Sequence, residues 1–133
     1  MRVGLLEDDI AIQEMILLVL QEEGYTVVNY PDAESCLESL GVHRAGVSEI
    51  SELPIDLLIA DWRLSGAQTG IEVIRQLRNS AHLQALPIIL TTAATFNDME
   101  ELQRLQVTLL EKPFSVDDIT RLIQQLTASH PTA

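Results

Sequence analysis

A single cysteine and an aromatic content of 4% leave this 133-residue chain little thiol or ring chemistry. The lone Cys36 excludes a disulfide within the chain and a multi-cysteine zinc site. It falls in an apolar helical pattern, where buried packing suits it. Basic residues are also scarce. Eight Lys and Arg stand against 20 Asp and Glu, a formal net charge of −12. Direct binding of DNA or RNA wants a basic face, so that class is excluded. No apolar run is long enough to span a membrane, and no signal peptide precedes the first strand; a cytoplasmic setting is the expectation. The length is that of one ordinary domain, able to bury enough surface without a disulfide or structural metal.

Ile55 to Asp61 reads IDLLIAD; within it Leu57 to Ala60 form an unbroken apolar run, and the Asp61 carboxylate closes it. Such a run, bounded by turn signals, fits a strand buried on both faces of a parallel sheet. Four further strands are expected at Arg2–Leu6, Tyr25–Tyr30, Leu86–Thr92 and Val107–Glu111. Helical spacing lies between them. Ile12, Met15, Ile16 and Val19 share one face and stop before Gly24. Asp32 caps a helix bearing Cys36, Leu37 and Leu40. Ile71, Ile74 and Leu77 line the helix over 70–79, and Met99, Leu102 and Leu105 the one over 97–106. Ser115 and Asp118 open a last helix with a capping-box pair. The stretch 42–54 has no period and is long for a connection, with room for an extra turn of helix. Residues 1–128 make one domain, and 129–133 a frayed tail.

Strands alternating with helices predict an α/β fold: a single (βα)5 doubly wound parallel sheet in the flavodoxin-like order 2-1-3-4-5. Order reverses between the first and third strands, whose ends carry Glu7-Asp8-Asp9 and Asp61. Open α/β sheets bind ligands at that crevice. Asp61 alone could equally cap the next turn. Clustered carboxylates repel, however, and a hard dication such as Mg2+ resolves the repulsion with oxygen ligands. Thr92 ends the fourth strand and Lys112 follows the fifth. Acid, acid, hydroxyl and lysine at successive strand ends make a cradle for a phosphoryl group.

Glu7-Asp8, Asp61, Thr92 and Lys112-Pro113-Phe114, in that order and spacing, resemble the receiver domain of two-component response regulators over almost the whole chain. The resemblance implies phosphorelay signalling in which Asp61 accepts a phosphoryl group from a histidine kinase or phosphotransfer protein. It implies Mg2+ held directly by Asp8 and Asp61, through a water by Glu7, and by the backbone carbonyl of Arg63. Thr92 and Lys112 would bind phosphoryl oxygens, and a cis peptide would precede Pro113. It also allows a homodimer through the fourth helix, fifth strand and fifth helix.

The sequence departs from the family in three places. The loop from Asp61 to Gly70 lacks the usual proline and is one residue longer, as in receivers associated with hybrid sensor kinases. The connection at 42–54 is also longer than the family norm. Leu109 replaces the usual aromatic at the switch position, so signal transmission is expected to run mainly through 93–98. Arg63 and Ala94 flank the path of attacking water without a group to activate it, so a long-lived phosphorylated state is expected. Three rivals remain: a receiver used as a phosphorylation-independent docking module, a phosphotransferase or phosphatase enzyme, and a flavin-binding flavodoxin. The intact acid, threonine and lysine set argues against the first. The lack of a covering insertion argues against the second, and acids where a phosphate loop would sit against the third.

Overall fold

The computed structural model describes residues 1–7, 9–43, 46–47, 53–63, 69–80, 83–92, 99–112 and 114–128. Along the chain run β1 (Arg2–Leu6), α1 (Ile10–Glu22), β2 (Thr26–Tyr30), α2 (Ala33–Ser39), β3 (Val42–His43), β4 (Gly46–Val47), β5 (Leu57–Asp61), α3 (Gly70–Arg78), β6 (Ile88–Thr92), α4 (Met99–Arg104), β7 (Val107–Glu111) and α5 (Val116–Ala128). Five strands pair in the order β2-β1-β5-β6-β7, and every pairing is parallel. Setting aside β3 and β4, this is the 2-1-3-4-5 order expected. The unbroken apolar run became the central strand, buried at all five positions.

Strand alternation divides the core in two. On one face Val3, Leu5, Leu57, Ile59 and Ile89 meet Ile16, Val19 and Leu20 of α1 and Ile119 and Ile123 of α5. On the other, Leu6, Leu58, Ala60, Ile88 and Leu90 meet Cys36 and Leu37 of α2, Ile74 and Leu77 of α3 and Leu102 of α4. The register runs straight across: Leu5 opposes Ile59, and Ile59 opposes Ile89. The strand ends that carry the candidate site residues therefore lie at one edge.

Helix termini follow the sequence signals. Asp9 accepts from Ala11 N at 3.0 Å and Ile12 N at 3.2 Å, so its carboxylate caps α1. Past the other end, Gly24 takes a φ of +87°, a conformation that costs an L side chain. Ser115 and Asp118 exchange the two bonds of a capping box, at 2.9 and 3.1 Å.

Two expectations need correction. No helical turn occupies the described part of 42–54. Val42 pairs with Val47 and His43 with Gly46 in an antiparallel hairpin, β3–β4, consistent with the strand preference of β-branched residues. And β6 begins at Ile88, after Pro87, which has no N–H to give the ladder. No helix among the described residues is long and apolar enough to cross a membrane.

Candidate functional site

Glu7 leaves the end of β1 and Asp61 ends β5, one step further along the register that pairs Leu6 with Ala60. Glu7 is 3% exposed and Asp61 6%. Two carboxylates this deeply buried need a counter-charge. Lys112 supplies it from the end of β7. Its Nζ lies 3.2 Å from Asp61 Oδ1 and 3.5 Å from Glu7 Oε1. The lysine is placed through its backbone, whose N–H donates to the Thr92 carbonyl at 2.7 Å. Three strand ends distant in sequence thus share one electrostatic centre.

One ammonium does not balance two carboxylates. Burial, reinforced by the negative charge of Asp61, pushes the Glu7 carboxyl up to about 7. The Lys112 charge and the Asp9 N–H, which donates to Glu7 Oε1 at 3.2 Å, pull the other way. The Gln13 amide fastens α1 above, donating to the Glu7 carbonyl at 3.3 Å and to Asn29 Oδ1 at 2.9 Å. Among the described residues no group of three His, Cys, Asp or Glu side chains gathers as a metal site. The paired acids nevertheless suit a magnesium ion, which takes one or two carboxylates and keeps several waters. The excess negative charge that lifts Glu7 is what such a cation would neutralise.

The other expected residues fall as follows. Thr92, 1% exposed, ends β6. Arg63 is exposed, two positions beyond Asp61. Leu109 is half-buried in β7, in register with Leu90 and packed on the α2–α4 side. Asp8, Pro113 and the segment 93–98, with Ala94 in it, lie outside the described residues. Asp9, the third acid of the cluster in sequence, belongs to the helix cap.

Two residues escaped the sequence reading. Gly70 opens α3, and its N–H donates to the Trp62 carbonyl at 2.9 Å. A Cβ there would collide with the Asp61 carbonyl oxygen and lie 2.9 Å from the carbonyl carbon. Only glycine lets α3 start against the backbone of Asp61. Thr69, just before it, forms a capping box with Glu72. The second is Thr91, the register partner of Asp61, fully buried. The only signal for it was a second hydroxyl at the end of an apolar strand.

A family model for the response regulator receiver domain matches residues 3–124. The phosphate regulon transcriptional regulatory protein PhoB of Escherichia coli is 26% identical over 126 residues, 92% of this chain and 50% of that protein. This chain therefore spans about half the length of that relative. The chemotaxis protein CheY of Pseudomonas aeruginosa is 25% identical over 95% of both. Among solved structures, the receiver domain of a Pseudomonas aeruginosa sensor histidine kinase superposes with a TM-score of 0.76 at 26% identity, covering 96% of this chain and 97% of that one. That structure has a magnesium ion coordinated in its active-site cleft. The five-stranded parallel sheet, the acids at its order reversal and the match over nearly the whole chain lead to one assignment: this chain belongs to the response regulator receiver domain family, a signalling family of two-component phosphorelays.

Proposed function

We propose that Asp61 is the phosphoacceptor and takes its phosphoryl group from the phosphohistidine of a sensor histidine kinase or phosphotransfer protein. The observation that carries this reading is the buried Asp61 carboxylate, 3.2 Å from the Lys112 ammonium, at the sheet's order reversal. An Asp61 oxygen attacks phosphorus and an O–P bond forms. The P–N bond to the donor imidazole breaks, its electron pair stays on nitrogen, and that nitrogen takes up a proton. Lys112 and Thr92 bind the phosphoryl oxygens as the charge shifts. Asp8, Asp61 and the Arg63 carbonyl would hold magnesium directly, and Glu7 would hold it through a water. When bound, such an ion would supply charge neutralisation to the phosphoryl oxygens.

The chain catalyses only its own phosphorylation and dephosphorylation. Hydrolysis of the acyl phosphate is slow because neither Arg63 nor Ala94 can activate water. The receiver unit is residues 1–128, acting in the cytoplasm, with 129–133 a tail. Phosphorylation switches binding of an output partner, and α4, β7 and α5 form the face for a homodimer. Nucleic acid and membrane are not direct partners of so acidic a chain.

Incubation with magnesium and phosphoramidate tests the reading. Wild type should acquire one alkali-labile phosphoryl group, and Asp61→Asn none. Equal labelling of both proteins contradicts it.

A further inference from the structure

Among the described residues, the Thr91 hydroxyl is a buried side-chain polar atom with no hydrogen-bond partner. Native interiors rarely leave such a group unpaired, and a valine of the same shape would remove the penalty. The sequence around it is apolar: Ile88, Ile89 and Leu90 precede it in β6. Its neighbours explain why a hydroxyl stands there. Thr91 is the register partner of Asp61, and the Thr91 carbonyl accepts from Trp62 N at 2.7 Å. Register partners in a parallel pair project from the same face of the sheet. Ile59 and Ile89, two residues back on each strand, share that face. Thr92 alternates to the opposite face, so the two threonines approach the site from different sides.

We infer that Thr91 is a positioning residue of the phosphoacceptor: its hydroxyl donates to the Asp61 carboxyl when that group reacts. The inference rests on Asp61 being the acceptor, as proposed above. When the O–P bond forms on one carboxylate oxygen, the other is left as a carbonyl acceptor. Adjacent strands lie about 4.8 Å apart, within reach of a hydroxyl and a carboxyl projecting from neighbouring positions. Rotation about χ1 exchanges the hydroxyl and methyl of a threonine between staggered wells. The resting protein thus holds an unpaired donor beside the group whose charge distribution the reaction changes. Thr91 makes no contact with the donor molecule and acts through Asp61.

The test compares wild type, Thr91→Val, Thr91→Ser and Asp61→Asn with magnesium and phosphoramidate, following the labelling rate, the lifetime of the label and the melting temperature of unphosphorylated protein. Thr91→Val should melt higher than wild type when unphosphorylated, yet lose about three- to tenfold in labelling rate or label lifetime. Thr91→Ser should restore the wild-type rate and lifetime. A purely structural hydroxyl would not separate stability from chemistry in this way. Wild-type rate and lifetime in Thr91→Val, or a lower melting temperature, overturn the inference while leaving Asp61 as acceptor. Absence of label on wild type overturns both.

Discussion

Glu7 holds the clearest consequence at the scale of a residue. Its carboxyl ordinarily titrates at 4.5 and is pushed up to about 7 by burial beside Asp61. Below 4.5 the group is protonated whether the chain is folded or not. Between 4.5 and about 7 the folded chain keeps a proton that the unfolded chain has lost. Stability therefore falls as pH rises through that window, and the loss is complete above it. Glu7→Gln cannot ionise. Melts in chelator across pH 4 to 8 should show Glu7→Gln more stable than wild type at the alkaline end by on the order of 2 kcal/mol, with the difference vanishing at the acid end. A constant difference at all pH values would show that Glu7 does not titrate in this range. Magnesium should narrow the gap by supplying the missing positive charge.

Elements matter to the site through their junctions. Gly70 joins α3 to the Asp61 backbone with no space for a side chain. Gly70→Ala must move either the helix start or the strand end, at about 1–3 kcal/mol for an overpacked position. Because the strand end carries Asp61, phosphorylation should slow beyond what the stability loss alone explains. Arg78 offers the contrast. Its guanidinium, half-buried at the far end of α3, donates to the carbonyls of Leu83 at 2.6 Å, Leu105 at 2.7 Å and Gln106 at 3.1 Å. It pins the turn before β7, where Gln106 has a φ of +55°. Arg78→Ala leaves three acceptors bare and should cost about 2–3 kcal/mol in a denaturant melt. Labelling of its folded fraction should match wild type. Equal labelling defects in the two variants would mean that the α3–β5 junction has no special hold on Asp61.

At the scale of the whole molecule, much of the fold was legible because local pattern and global topology agree. The run Leu57–Asp61, bounded by turn signals, fits a buried strand. The alternation of strands and helices then dictated parallel pairing, and Glu7, Asp61 and Lys112 could be placed at one edge from their positions after strands. What escaped depends on distances that no period encodes. The β3–β4 hairpin has two-residue strands, too short to show alternation. Gly70 looked like an ordinary first residue of a helix until that helix start met the Asp61 carbonyl. Thr91 looked like an ordinary strand threonine until its hydroxyl proved to be buried without a partner. Arg78 reaches acceptors 27 and 28 residues away, a contact set only by how α3 packs. The most direct test of the central claim is to locate the modified residue in phosphoramidate-treated wild-type protein. Borohydride reduction converts an aspartyl phosphate to homoserine, which peptide mass spectrometry can place in the sequence. Homoserine is expected at position 61 alone; homoserine in place of another aspartate, or a stable phosphate on a hydroxyl residue with position 61 unchanged, would rule out Asp61 as the acceptor.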